Sequence, residues 1–381
     1  MRSILALLAA LLVAVPAEAC SFCASSLQTR LTLREHFAQA RVVVHGKLAN
    51  PKLDPATDNG TTELHLETIL KTEPALAGLK MLILPRYLPV IGDTPRDHVI
   101  FGSVKNGVID PTHGVPATPA MVAYLKSTAT LDPKDSAARL AFFFRHLDAN
   151  DEGVASDAFV EFARAPDTEI FAAAKHFDPA KLRRLISNPA TPVERIGVLA
   201  FVLGTCGTRD DAAFLGGLVK QEPLPERTSP ALGGLLAGYI LLAPRDGWDH
   251  AVSVLGNDKR PYADRLSVMG TVRFFQASRP KETRDSVLRC CAALLPHGDL
   301  ADQAIEDLRR WGWWDLTPQV LAQWGEPTHS APIVKRSLVR YALSCATPEA
   351  KEFVASIRKT DAKLVDSVAE SLAAFETIPP R

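Results

Sequence analysis

The chain has 381 residues, 47 % of them hydrophobic, with 43 Lys plus Arg against 43 Asp plus Glu for a formal charge of zero. That length exceeds what one core usually organises and points to two or three domains. The balanced charge excludes a general electrostatic affinity for nucleic acid or anionic membrane.

The first element in chain order is an export leader. Arg2 supplies the positive end, Ile4 to Val15 form a short apolar stretch, and Ala17-Glu18-Ala19 puts small residues at the two cleavage-determining positions. Residues 1–19 are therefore expected to be a signal peptide, the mature chain to start at Cys20, and the protein to be periplasmic or extracellular. The stretch is too short to span a bilayer, and no other segment approaches the roughly 20 apolar residues that a spanning helix needs. A lipid anchor on Cys20 is the rival expectation. It is disfavoured because Ala17 and Glu18 stand where such sites usually carry a branched aliphatic residue.

The six cysteines are Cys20, Cys23, Cys206, Cys290, Cys291 and Cys345. Export permits disulfides, and Cys20 with Cys23 is the pair close enough in a flexible segment to propose one. Cys206, Cys290 and Cys345 each end an apolar helical pattern, where cysteine commonly serves as a small hydrophobe. A redox role for Cys20-Ser21-Phe22-Cys23 would need an electropositive helix start after a strand, whereas this pair lies at a chain terminus.

Residues 20–130 read as a small β domain. The segment "LQTRLTLREHFAQA" has the period of a helix, with Leu33, Phe37 and Ala40 on one stripe. Val42-Val43-Val44 opens a strand, and "TTELHLETILK" alternates Leu64 and Leu66 with Glu63, His65 and Glu67. "LKMLILP" and "HVIFGSV" predict two more strands, and Asn106-Gly107 predicts a tight turn before "VID". A short helix is expected at residues 119–127. The expectation is a small antiparallel barrel or sandwich.

The amino-terminal cysteine, the helix ending in Phe37-Ala38-Gln39-Ala40 and the strand "RVVVHGKL" resemble the opening of netrin-like domains. Those are the oligonucleotide-binding-type barrels found in tissue inhibitors of metalloproteinases. The resemblance implies that Cys20, Ser21, Phe22 and Cys23 present a terminal amine and carbonyl to a protease zinc. The cysteines here are spaced Cys-x-x-Cys where the inhibitors have Cys-x-Cys. The chain as a whole also resembles uncharacterised exported bacterial proteins with the same leader, terminal cysteines and helical tail.

After a linker at 131–136 the pattern changes to period 3.6 and stays there over 137–381. "VASDAFVEFA" places Val154, Ala158 and Phe162 on one stripe, and "VERIGVLAFVL" does the same with Val193, Ile196, Ala200 and Leu203. Further units begin at Ala231, Tyr262, Leu300 and Ile333, a spacing near 35 to 40 that predicts stacked helix pairs of HEAT type. The fold class expected is thus α+β: a small antiparallel barrel, then an α-α superhelix.

Motifs that carry chemistry are sparse. "DANDEGVASDAF" starts like a calcium loop at Asp148, but Phe159 stands where a closing Glu is required, so a turn capping the next helix is expected. His113 near Asp110 is a conceivable dyad that turn polarity explains equally well. The ten histidines occur singly and none has a metal spacing, so neither metal ligand nor cofactor is expected. There is no nucleophile elbow, phosphate loop or dinucleotide fingerprint, and no enzyme activity is expected. Asn59-Gly60-Thr61 matches a glycosylation acceptor in a loop.

"LRRWGWWDL" is the densest aromatic feature, with Trp311, Trp313 and Trp314 beside Arg309 and Arg310. Tryptophan and arginine are enriched at interface hot spots. Trp311 is expected to finish a core stripe from Leu300, Ala304 and Leu308, and Trp313 to be the most exposed of the group. The function expected is a non-enzymatic binding or scaffold protein engaging a protein or surface ligand through Trp313, Trp314 and the terminal Cys20 to Cys23 segment. Metalloprotease inhibition through Cys20 and thiol-disulfide exchange through Cys20 and Cys23 are the alternatives.

Overall fold

The computed structural model describes residues 30–55, 59–90, 96–106 and 108–376, and the chain divides into two compact units, Met1–Asp178 and Pro179–Arg381. The leader, the Cys20 to Cys23 segment and its proposed disulfide lie outside the described residues.

In the first unit, Thr32 starts helix α1 (Leu33–Gln39) with a capping box, its hydroxyl accepting from the Glu35 amide while the Glu35 carboxylate accepts from the Thr32 amide. The strands follow as β1 (Val42–Asp54), β2 (Asn59–Lys71), β3 (Met81–Leu84), β4 (Asp97–Lys105) and β5 (Val108–Pro116). β2 and β3 alternate buried and exposed residues, whereas β1 and β4 carry continuous buried runs. They form one antiparallel sheet of order β3-β2-β1-β4-β5. The β4–β5 hairpin pairs Lys105 with Val108, and Asn106 between them takes a φ of 52°, the left-handed conformation that such a two-residue turn demands.

The sheet is open, so the barrel expected from the sequence is not formed among the described residues. Closure would require the two edge strands to bond each other. β3 has four residues and pairs only with Thr62 to His65 of β2, and β5 pairs only with β4. The strand expected around Leu64 and Leu66 is present as β2, and Leu64 joins Val42, Val44, Leu48, Leu82, Leu84 and Ile100 in a core on one face. The other face buries Val43, Val99 and Phe101, and His36 of α1 packs against the Phe101 ring.

Helices α2 (Pro119–Thr128), α3 (Ser136–His146), α4 (Glu152–Ala163) and α5 (Asp167–Ala173) complete this unit. Of the expected linker 131–136, residues 131–135 form a turn whose Asp135 caps α3 and Ser136 opens that helix, and the compact unit continues past it. One buried carboxylate ties three helices together: Asp157 of α4 accepts from the Leu33 amide at 2.7 Å and from the Tyr124 hydroxyl at 2.8 Å. Arg34 adds a two-pronged bond to Glu161 at 3.0 and 3.1 Å. The segment that begins like a calcium loop is a turn before α4, whose first turn is capped by Asp151 accepting from the Val154 amide.

The second unit contains α6 (Pro179–Ser187), α7 (Val193–Cys206), α8 (Arg209–Val219), α9 (Leu232–Leu242), α10 (Pro244–Leu255) and α11 (Tyr262–Ser278). It continues with α12 (Pro280–Leu294), α13 (Ala301–Trp311), α14 (Thr317–Ala322), α15 (Pro332–Ser344), α16 (Pro348–Thr360) and α17 (Ala362–Glu376). The starts lie within one residue of those expected at Val193, Ala231, Tyr262, Leu300 and Ile333. Proline in the first turn of α10, α12, α15 and α16 fixes the helical φ where no amide partner is needed.

Alternate helices touch: α7 packs on α9 and α9 on α11, α13 packs on α15 and α15 on α17, while α10 packs on α12. Each apolar face is thereby covered by the equivalent face of the next pair. Where α7 meets α9 the backbones come so close that a Cβ on Gly234 would fall 2.2 Å from the Gly197 carbonyl oxygen. Cys290, Cys291 and Cys345 are buried free thiols, and Cys206 is half-buried.

Candidate functional site

The aromatic surface of the second unit is built by a helix end. Gly312, at a φ of 69°, terminates α13, and the Trp313 amide donates back to the Leu308 carbonyl at 2.9 Å. This left-handed glycine cap satisfies the last carbonyls and turns the chain sharply. Leu300, Ala304 and Leu308 stay fully buried on the stripe expected for them.

The two expected site tryptophans, Trp313 and Trp314, leave the cap differently. Trp314 is half-buried and meets Tyr341 of α15 edge to face, with ring centroids 5.0 Å apart. Trp313, also half-buried, lies 5.2 Å from the Trp311 ring, and the Arg284 guanidinium of α12 sits 5.1 Å from its centroid. Arg284 is held over the ring by Asp315, with bonds of 3.2 and 2.6 Å. The carboxylate pushes the Arg284 pKa up and the guanidinium pulls that of Asp315 down. The result is an indole with a fixed cation beside it, at the surface between two helix pairs. It suits an aromatic, aliphatic or anionic contact group.

Sequence reasoning singled out Trp313 from local composition and did not single out Arg284. Nothing near Arg284 in the chain marks it, because its role comes from the stacking of α12 beside the α13 cap.

The first unit carries a cleft of about 420 Å³, whose lining includes Arg30, His36, His113, Thr118, Met121 and Asp157. His36 and His113 stack in parallel there, 3.9 Å apart with 5° between the rings. Burial lowers the pKa of both, against the Glu35 charge for His36 and together with the His36 and Arg30 charges for His113. Burial has the opposite effect on Asp157, raising its pKa to about 6 against the two hydrogen bonds that favour the anion.

The dyad conceivable between Asp110 and His113 is not assembled. Asp110 pairs with Lys105, whereas His113 is opposite Phe101 on β4 and stacked on His36. Asn59 of the glycosylation acceptor is the exposed first residue of β2. Compared with protein-family models and with curated proteins, the chain matches no family and no curated protein.

Proposed function

We propose that this is an exported, non-enzymatic binding or scaffold protein, in which HEAT-type helical repeats hold a protein or surface ligand against Trp313. The observation that carries this reading is the Trp313 arrangement. A large indole is left partly accessible at a helix cap, with Arg284 fixed over it by Asp315. Tryptophan and arginine are enriched among interface hot spots, tryptophan because it buries much area at little cost in rotamer freedom. Support for the repeat reading comes from the alternate-helix packing and from helix starts recurring at the expected spacing. Stacked helix pairs characteristically supply extended faces for partners.

Hydroxyl-radical footprinting of the protein in the envelope fraction of its native host, against the purified protein, tests this. Trp313 is expected to oxidise in the purified protein and to be protected on the envelope, and Trp313→Ala to be washed off more readily. Equal oxidation in both settings, or full retention of a folded Trp313→Ala variant, would sink the reading.

A further inference from the structure

One side-chain cluster belongs to neither surface. On the face of the sheet that carries Val43 and Phe101, His45 of β1, Glu67 of β2 and Asp97 of β4 bring one imidazole nitrogen and two carboxylate oxygens within 4.8 Å of one another. His45 Nδ1 and Glu67 Oε2 are 3.7 Å apart.

The backbone beneath the cluster is specialised. His45 is paired with Thr68 and Gly46 with Leu66, so Glu67 is an extra residue with no partner on β1. Such a β-bulge re-aims the side chain it carries. Gly46 lies against the bulge, where a Cβ would fall 2.2 Å from the His65 carbonyl oxygen, so the site needs glycine. On the other side, Asp97 lies directly opposite Lys47 on β1. Its Oδ1 is buried and accepts no hydrogen bond among the described residues. A buried carboxylate oxygen left unpartnered is costly, and a cation is the group that would offset that cost. Asp97 Oδ1 belongs to one of the two carboxylates that lie beside the imidazole.

We propose that His45, Glu67 and Asp97 form a binding site for a divalent first-row transition metal ion of the Zn²⁺ or Mn²⁺ class. One nitrogen and two carboxylate oxygens suit such ions, whereas an all-oxygen set would suit Ca²⁺ or Mg²⁺. Metal-ligand distances of about 2.0 to 2.2 Å require the donors to close by roughly 1 Å, which rotation of the exposed Glu67 side chain allows. Three protein ligands leave at least one coordination position for water or a partner's donor atom. Lys47 is the competitor: its ammonium lies 2.6 Å from Glu67 Oε1. Metal entry displaces Lys47 into solvent, so the ion and the lysine bind Glu67 exclusively.

Equilibrium dialysis of the full chain against Zn²⁺ and, separately, Mn²⁺ tests the site, with bound metal counted per chain and thermal melts confirming that each variant folds. Mn²⁺ discriminates against the soft thiolates of Cys20 and Cys23, which would take Zn²⁺. The expected result is one Mn²⁺ per chain. Affinity should fall at least about tenfold in His45→Gln, Glu67→Gln and Asp97→Asn, and rise in Lys47→Ala. The rise in Lys47→Ala is a gain that misfolding cannot produce. No binding up to about 1 mM, or binding that these four substitutions leave unchanged, would overturn the proposal.

Discussion

Arg273 of α11 reaches Asp307 of α13 across 34 positions of sequence, its Nε 2.6 Å from the carboxylate. The same offset recurs: Arg265 pairs with Asp299, Arg340 with Glu306, and His329 Nε2 donates to the Leu295 carbonyl, all 34 positions apart. These contacts form a polar ladder from one helix pair to the next, complementary to the apolar stacking.

Asp307 is almost fully buried, and desolvation raises its pKa even though the Arg273 guanidinium opposes the shift. Arg273→Ala should therefore destabilise the second unit by about 1 to 3 kcal/mol, because the carboxylate loses the partner that compensates its burial. The figure stays modest because Arg273 is itself partly exposed. In a double-mutant cycle with Asp307→Asn the two losses should be strongly non-additive, read by urea melts. Simple additivity would show that the ladder contributes nothing.

Helices α7 and α9 meet backbone to backbone. A Cβ on Gly238 would lie 2.2 Å from the Ala200 carbonyl oxygen, and one on Gly204 would lie 2.5 Å from the Gly238 Cα. Gly238→Ala normally favours a helix by up to about 1 kcal/mol. Here it should destabilise by about 1 to 3 kcal/mol, since the helices must separate. Gly217→Ala on α8 meets nothing within 4 Å and should be neutral or stabilising. Denaturant midpoints of the two variants decide this by their opposite signs.

Asp157 makes stability depend on pH. Its folded pKa of about 6 lies above the ordinary 3.8, so its contribution is fully present below the ordinary value and is lost as pH rises through about 6. The difference between wild type and Asp157→Asn across that window should amount to roughly 3 kcal/mol, with the wild type losing the more as pH rises. Asn keeps an acceptor for the Leu33 amide while removing the ionisation. Parallel curves for the two proteins from about pH 4 to about pH 7 would show that Asp157 does not ionise in this window.

The thiols should separate by accessibility. Cys290 and Cys291 have no exposed surface, and burial pushes the Cys290 thiol up to about 12 and that of Cys291 well above its usual value. Neither forms the reactive thiolate at neutral pH. Iodoacetamide should leave both unmodified in the folded protein and label both in urea, as read by peptide mass mapping. Rapid labelling in the native state would contradict this burial.

What the sequence determined by itself is what depends on neighbours in the chain. The alternation around Leu64 and Leu66, the Asn106-Gly107 turn and the helix starts at Val193 and Tyr262 are local patterns, and the elements appear where those patterns place them. Trp313 was singled out for the same reason, as part of a dense aromatic run. The tertiary structure alone decided that the sheet stays open, because closure depends on how two strand edges meet. It alone placed Arg284 over Trp313 and His36 against His113. His45, Glu67 and Asp97 are separated by 22 and 30 residues and have no motif spacing. They meet through strand register and one bulge, and register is a relation between strands that no single segment encodes.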